Sequence, residues 1–227
     1  MAHFYPKINA PWVRDAETGR LNRGQYIDGI AHILDRPGNW IFTEKVDGTS
    51  VVLYWDGDRV SYFGHTTKSQ FAPYMTEFLD VLKGGEFEGL LEQTFGCKSV
   101  AIFGELYGPK IGPGANYSDK LNFIVFDIMV GATLGNGIER NGVWLEWDDV
   151  LDVCGKLGLR HVPVVEDFEY MLLEVASLAS VHFQSLVVDE GKPRYVAEGV
   201  VARPRHVLLD KTGNAVRYKI KSKEYRQ

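Results

Sequence analysis

Short apolar runs, either uninterrupted or alternating with polar residues, recur along the chain and predict strands. Three follow one another closely: "WIFTEKV" from Trp40, "TSVVLYW" from Thr49 and "RVSYFGH" from Arg59. Two more cover Ser99–Leu106 and Leu121–Val130, and the runs "AEGVVARP" and "AVRYKIKS" lie near the end of the chain. β-Branched and aromatic residues dominate these runs, which is typical of strands.

Apolar residues at helical spacing predict helices between the strand clusters. One such pattern covers Asn22–Leu34 and is followed by Pro37. Others are Phe71–Lys83, Phe87–Phe95, "WLEWDDVLDVCGKLG" ending at Gly158, and "FEYMLLEVASLA". Because the strands come in clusters and do not alternate strictly with helices, the sequence predicts an α+β fold with mainly antiparallel sheets flanked by helices.

The stretch "FTEKVDGTS" carries two possible signals. Asp47-Gly48 between two apolar runs predicts a tight β-hairpin turn, and Asp56-Gly57-Asp58 predicts another. Only the first turn is preceded by a lysine, Lys45. Taken by itself, that lysine is either an exposed residue at a strand end or a nucleophile.

Composition narrows the possible settings of the protein. With 227 residues, 45% of them hydrophobic, the chain suits one folded domain. It has no apolar run long enough to span a membrane, and its start lacks the apolar core of a secretory signal. Two cysteines, Cys97 and Cys154, form no metal-binding pattern. We therefore expect a reducing, cytoplasmic setting with no membrane partner.

Charge is distributed unevenly. The net charge is −5, yet the last 36 residues, from Lys192 to Gln227, hold ten Lys and Arg residues against three acids. A basic segment on an otherwise acidic chain suits local binding of phosphate groups, from a nucleotide or a nucleic acid end. The alternative is a solvated basic tail.

Charged residues and one aromatic residue stand out in or beside the predicted strands. Taken singly, each has an ordinary structural interpretation, as a strand-end carboxylate, a core aromatic or a solvated lysine. Lys219 and Lys221 are two residues apart, so they share one face of a strand. The remaining residues of this set are Glu105 in "AIFGELYG", Phe126 with Asp127 in "NFIVFDI", and Glu198 before "GVVARP".

The order Lys45, Glu105, Phe126, Glu198, Lys219 and Lys221 resembles that of the covalent nucleotidyltransferase superfamily of ligases and capping enzymes. "TEKVDGTS", "FGELYG" and the terminal "KIKS" are most similar to ATP-dependent RNA ligases, especially the type 2 branch. The resemblance implies one nucleotidyltransferase (ligase adenylylation) domain over residues 1–227. Since the sequence ends six residues after Lys221, we expect no OB domain and no helical C-terminal domain.

The same resemblance implies a nucleotide-binding role for four residues. Lys45 would attack the α-phosphate of ATP and hold AMP as a phosphoramidate. Glu44 would read the edge of the adenine, Phe126 would stack on the base, and Glu105 would contact the ribose.

Four charged residues would handle the phosphate chemistry. Lys219 and Lys221 would grip the α-phosphate, while Glu198 and Asp47 would bind Mg²⁺ or Mn²⁺. A free lysine has a pKa of about 10.4, so a lysine nucleophile needs neighbouring cations or burial to lose its proton near pH 7. The same cations stabilise the charge that develops on the phosphate.

The implied function is an ATP-dependent RNA ligase that joins 5′-phosphate and 3′-hydroxyl ends, acting as a monomer on RNA ends, nicked duplexes or DNA. A minimal DNA ligase, an mRNA-capping-type guanylyltransferase and a non-catalytic nucleic-acid-binding module are the alternatives. One position departs from the family pattern: where relatives carry an arginine about twenty residues after the nucleophile, this chain has His65.

Overall fold

The apolar runs form two separate sheets in the computed structural model, which describes residues 4–135, 137–139, 141–167, 170–180 and 183–225. The strands are β1 (Trp12–Arg14), β2 (Leu21–Tyr26), β3 (Trp40–Lys45), β4 (Thr49–Trp55), β5 (Val60–Phe63), β6 (Val100–Tyr107), β7 (Asn122–Val130), β8 (Thr133–Gly135), β9 (Gly137–Glu139), β10 (Val143–Trp144), β11 (Arg160–His161), β12 (Val164–Asp167), β13 (Gly199–Pro204) and β14 (Tyr218–Lys221). The helices are α1 (Gly29–Leu34), α2 (Pro73–Leu82), α3 (Gly85–Phe95), α4 (Trp147–Leu157), α5 (Leu172–Ser180) and α6 (Ser222–Tyr225), with a 3₁₀ helix at Gly112–Asn116.

The chain divides into two units. Unit 1 comprises Met1–Lys7, Gly48–His161 and Asp210–Asn214, and unit 2 comprises Ile8–Asp47, Val162–Leu209 and Ala215–Gln227. The prediction of a single domain over residues 1–227 stays a prediction.

Unit 1 is built on a six-stranded sheet in the order β10-β7-β6-β4-β5, with β11 parallel to β7 and the other neighbours antiparallel. The helices α2, α3 and α4 also belong to this unit. Gly158 ends α4 with a left-handed φ of 65°, as the capped pattern in the sequence predicts.

Unit 2 is built on a four-stranded antiparallel sheet in the order β12-β3-β13-β14. Alternate residues of β3, β13 and β14, among them Phe42, Val200 and Ile220, form an apolar core with Leu172 and Ala176 of α5. The intervening residues of these strands therefore occupy the opposite face of the sheet, which leaves that face for polar side chains.

Two local predictions are wrong. The pattern at Asn22–Leu34 forms β2 and then the short helix α1, because Asp28 caps the helix by accepting a hydrogen bond from the Ala31 N–H at 2.8 Å. Asp47-Gly48 is not a hairpin: β3 pairs with β12 and β13, whereas β4 pairs with β5 and β6. The link instead carries the chain from unit 2 into unit 1.

The predicted strands and the second predicted turn are confirmed, as is the mainly antiparallel α+β class. At the second turn the Asp56 N–H donates to the Arg59 carbonyl at 3.2 Å, and Gly57 has a φ of 105°. Among the described residues, no helix is both long and apolar enough to cross a membrane. Cys97 and Cys154 are free thiols, and burial raises the pKa of Cys154 to about 12.

Candidate functional site

The polar face of the unit 2 sheet brings together the predicted lysines. Gly199 at the start of β13 lies opposite Lys45 on β3 and opposite Lys221 on β14. The central strand thus has no side chain at the position between the two lysines. The next position along the same face places Val201 opposite Lys219.

A glycine is required at position 199, where β13 pairs with β3 and β14. Its φ is 156°, and a Cβ built there would lie 2.0 Å from the Ile220 carbonyl oxygen and 2.7 Å from the Lys221 Cα. Both distances are far below those of real Cβ contacts, so only glycine lets the strands approach here. The predicted site residues include Glu198 and not the glycine beside it, although a glycine inside a strand is a signal for close backbone approach.

Glu198 bridges two of the lysines. Its Oε2 lies 2.6 Å from Lys45 Nζ, and its Oε1 lies 2.5 Å from Lys221 Nζ. The Glu198 side chain is 11% exposed, and the two lysine side chains are 24% and 22% exposed. In this mostly buried position each carboxylate oxygen therefore accepts a hydrogen bond from an ammonium group, which offsets the cost of burial.

The pKa shifts follow from this pairing. Burial by itself would raise the pKa of Glu198, but Lys45 and Lys221 outweigh it and hold that pKa below its ordinary value. Burial by itself would lower the pKa of Lys221, but its hydrogen bond and ion pair with Glu198, together with Asp47 and Glu224, raise it. In this conformation the carboxylate therefore keeps Lys221 protonated.

Asp47 lies two residues after the end of β3, and its charge interacts with Glu198, Lys45 and Lys221. Burial and then the charge of Glu198 raise its pKa, against the opposing effect of Lys45, Lys221 and Lys223. Two carboxylates that repel each other next to lysines are a pattern suited to an added cation. Among the described residues, however, no three His, Cys, Asp or Glu side chains gather into a metal-binding group.

Glu44 precedes Lys45 and so points to the opposite face of β3. The residue is 1% exposed, and its carboxylate accepts hydrogen bonds from Ser185 Oγ at 2.5 Å and from the Leu186 N–H at 2.7 Å. Burial raises its pKa, although both hydrogen bonds oppose that rise. The adenine-reading role of Glu44 stays a prediction. What the structure adds is that its carboxylate also anchors residues 185–186, a contact for which the sequence carries no signal.

Unit 1 holds the other two predicted residues on adjacent strands. Glu105 on β6 pairs in register with Ser50 on β4 and with Ile124 on β7. The register between β6 and β7 shifts at Phe103/Gly104, which pair with Asp127 and Val125. The intervening residue of β7, Phe126, is half-buried between two buried neighbours. It therefore sits on a β-bulge, a distortion that redirects side chains.

The bulge also depends on a glycine. A Cβ on Gly104 would lie 2.3 Å from the Phe123 ring and 2.6 Å from the Ile124 carbonyl oxygen. His65, the residue at the position of the family's arginine, is exposed in the loop after β5, and its carbonyl oxygen accepts a hydrogen bond from the Phe4 N–H at 3.2 Å.

Comparison with known proteins connects this arrangement to a family. The family model for RNA ligase matches residues 38–221, which include all the predicted site residues. The chain belongs to the RNA ligase family. The further assignment of this family member to the type 2 branch stays a prediction.

Solved structures agree on the fold. A mutant of Naegleria gruberi RNA ligase in its apo form has a TM-score of 0.63 at 15% identity, covering 99% of this RNA ligase family member and 57% of that chain. A mutant with ATP and Mn has a TM-score of 0.61 at 17% identity, with 99% and 61% covered. A mutant with AMP and Mn has a TM-score of 0.60 at 16% identity, with 86% and 53% covered. The nucleotidyltransferase fold is thereby confirmed, and this chain spans less than two thirds of these ligase chains.

Proposed function

We propose that this protein is an ATP-dependent RNA ligase that joins 5′-phosphate and 3′-hydroxyl RNA ends through a lysyl-AMP intermediate. The observation that carries the proposal is the Glu198 carboxylate held between Lys45 and Lys221, next to Asp47. Family membership and the ATP-bound and AMP-bound Naegleria structures support it.

Lys45 is the proposed nucleophile. In the first step its neutral amine attacks the α-phosphorus of ATP, a P–N bond forms, and the bond to pyrophosphate breaks. The amine must lose its proton before it attacks. In the described conformation Glu198 is paired with the Lys45 ammonium group, so we expect that pairing to be released when the nucleotide binds.

Lys219 and Lys221 are proposed to bind the α-phosphate. They lie two residues apart on the polar face of β14, and each is only partly buried. Their positive charge offsets the negative charge that builds up on the phosphate oxygens in the transition state. A strand with only a structural role could carry neutral residues at these two positions, so the presence of two lysines favours a role in binding phosphate.

Glu198 and Asp47 are the residues proposed to hold Mg²⁺ or Mn²⁺. Both offer carboxylate oxygens, which these ions prefer, and Mg²⁺ commonly uses one or two carboxylates with water completing its shell. The raised pKa of Asp47, caused by burial and by Glu198, fits a position where a cation would relieve repulsion. Such an ion supplies charge neutralisation on the phosphates and favours the unprotonated amine.

Base stacking and ribose contact are proposed for two residues of unit 1, and reading of the adenine edge for one residue of unit 2. Phe126 would stack on the adenine and Glu105 would contact the ribose, while Glu44 is proposed to read the adenine edge. AMP would then pass from Lys45 to the 5′-phosphate of the RNA, and a 3′-hydroxyl would attack that adenylylated end and expel AMP. We further propose type 2 branch membership, a cytoplasmic setting and a monomeric enzyme.

The test is covalent labelling with ATP or GTP carrying ³²P at the α-phosphate. We expect label from ATP on the wild-type protein and none on Lys45→Ala. Lys156→Ala is the matched control, because Lys156 also pairs with a carboxylate, Asp152 at 2.6 Å, but on the exposed surface of α4 in unit 1.

Three outcomes would contradict parts of the proposal. Equal labelling of wild-type protein and Lys45→Ala would show that Lys45 is not the nucleophile. No label on the wild-type protein would show that it does not form the lysyl-AMP intermediate. Labelling by GTP alone would indicate a guanylyltransferase. Parallel assays with nicked RNA, nicked DNA and single strands would then identify the polymer and the end structure that are joined.

A further inference from the structure

The ring of Phe126 packs against that of Tyr5, a residue far away in the sequence. The ring centroids of Tyr5 and Phe126 are 5.0 Å apart with an interplanar angle of 76°, an edge-to-face contact. Tyr5 is 8% exposed and also packs against Phe103 at 5.0 Å and Trp144 at 5.8 Å. An aromatic ring held on several sides has little freedom to turn, so Tyr5 offers Phe126 a fixed surface.

A buried carboxylate sets the position of Tyr5. Tyr5 Oη donates a hydrogen bond to Asp127 Oδ2 at 2.9 Å, and Asp127 is 0% exposed. A carboxylate removed from water is strongly destabilising unless donors satisfy it. Asp127 follows Phe126 directly, so the hydrogen bond ties Tyr5 to the backbone of the same bulge that presents Phe126.

The segment that carries Tyr5 is fixed at a second point. The neighbouring Phe4 stacks on Phe63 of β5 with ring centroids 4.8 Å apart and an angle of 17°. Its N–H also donates to the His65 carbonyl oxygen. Residues 4–5 therefore contact both the β5 side and the β6–β7 bulge of unit 1. The segment is fixed by the contacts of Phe4 as well as by those of Tyr5.

We infer that Tyr5, anchored by Asp127, is a positioning residue for nucleotide binding: it fixes the orientation of the Phe126 ring against which the base stacks. This inference rests on the proposed function. Phe126 is only half-buried on an irregular part of β7, and stacking needs one defined ring orientation, because offset and tilted geometries differ in energy. Tyr5 itself touches no reacting atom.

The test uses equilibrium dialysis in a Lys45→Ala background, so that binding is measured without turnover. The affinity for ATP is divided by the affinity for the base-free triphosphate of 1-deoxyribose, which isolates the contribution of the base. Tyr5→Phe keeps the ring and removes the hydrogen bond to Asp127, and the resulting loss of ring alignment is expected to reduce this ratio roughly threefold to tenfold. Asp127→Asn, which keeps the side-chain volume, should reduce the ratio in the same direction.

Tyr54→Phe is the matched control. Tyr54 is also a buried tyrosine of unit 1, and its hydroxyl donates to a protein oxygen, that of Ala132 at 3.1 Å, on a strand other than the bulged β7. It should lose less thermal stability than Tyr5→Phe, because its acceptor is a carbonyl and not a carboxylate, and leave the binding ratio within about twofold of its starting value. With Lys45 intact, Tyr5→Phe should raise the KM for ATP and leave the maximal labelling rate unchanged.

A double variant separates positioning from general packing. If Tyr5 acts through Phe126, Tyr5→Phe should not reduce the ratio further in a Phe126→Leu background. Additive effects, or an unchanged ratio in both Tyr5→Phe and Asp127→Asn, would overturn the inference alone. A Lys45→Ala protein that binds neither ligand while it stays folded would overturn both the inference and the proposed nucleotide chemistry.

Discussion

The two units hold their predicted site residues by different physical means. In unit 2, charge holds the cluster, because Glu198 pairs with Lys45 and Lys221 within 2.6 Å on a polar sheet face. In unit 1, shape holds Phe126, through a bulge and an edge contact with Tyr5. The charged cluster should therefore respond to pH and to loss of a charge, whereas the aromatic site should respond to changes in volume and orientation.

The two sites nevertheless share one requirement. Each depends on a glycine where backbone or ring atoms leave no room for a Cβ: Gly199 next to Glu198, and Gly104 opposite the bulge. Close strand approach is therefore common to both units, and only the side chains that use it differ.

Gly199→Ala should cause the greatest loss of stability. The added methyl group would meet the Ile220 carbonyl at 2.0 Å, on a backbone with φ of 156°. We expect a loss of about 3 kcal/mol or more in unfolding free energy, from strain and overpacking together, and loss of labelling by ATP. Chemical denaturation and the labelling assay measure both.

Gly191→Ala is the control for this change. Gly191 has a φ of 86°, yet a Cβ added there would have nothing within 4 Å, so only the conformational strain of about 1 kcal/mol should appear. If the two variants lose equal stability, the close approach of the strands at position 199 does not require a glycine.

Glu198→Gln should have the next largest effect. The amide keeps the shape but removes the charge between two ammonium groups, which is expected to cost about 2 kcal/mol at neutral pH. Because Lys45 and Lys221 outweigh burial and lower the pKa of Glu198, its stabilising contribution is present above its ordinary pKa of 4.5 and disappears as the pH falls through the lowered value.

At alkaline pH the same comparison reports on Lys221. The pKa of that lysine is raised by Glu198 despite the opposing effect of burial, so its contribution persists below the ordinary value of 10.5 and is lost as the pH rises through the raised pKa. The stability difference between wild-type protein and Glu198→Gln should therefore be greatest between these two limits. A difference that does not vary with pH would show that charge is not what holds this cluster.

Local patterns in the sequence predicted the strands and the family order of motifs, because alternation and residue type are properties of short segments. The assignment of Asp47-Gly48 to a hairpin was wrong, since the same dipeptide can link strands of different sheets. The hydrogen bonds from Ser185 and Leu186 to Glu44, and from Tyr5 to Asp127, span more than 100 residues in sequence and leave no periodic signal. Such contacts depend on the folded topology.

Phe126→Leu tests the aromatic side of the comparison. Leucine keeps an apolar side chain but has no π face, so we expect ATP affinity to fall roughly tenfold, by about 1.4 kcal/mol. The affinity for base-free triphosphate should not change. Phe71→Leu is the control, since Phe71 is another partly buried ring of unit 1, in contact with Tyr62. Equal losses for both ligands would mean that Phe126 acts on the fold and not on the base.

Glu44→Gln should have the smallest effect and the opposite pH dependence to Glu198→Gln. Glutamine can still accept from the Leu186 N–H and can donate to Ser185 Oγ, so a change on the order of 1 kcal/mol is expected. Burial raises the pKa of Glu44, so its contribution to stability is full below its ordinary value of 4.5 and is lost as the pH rises through the raised pKa.

Rising pH should therefore favour Glu44→Gln relative to wild-type protein above the ordinary carboxyl pKa of 4.5, whereas it disfavours Glu198→Gln below that value. Glu88→Gln is the control, because Glu88 also accepts a backbone hydrogen bond, from the Val60 N–H at 2.8 Å, but on α3 in unit 1. Denaturation curves at about pH 3, 5 and 7, which lie on both sides of the ordinary carboxyl pKa, would give all three differences. If Glu44→Gln followed the pH dependence of Glu198→Gln, both carboxylates would belong to one ionic cluster, and the two faces of β3 would not be electrostatically distinct.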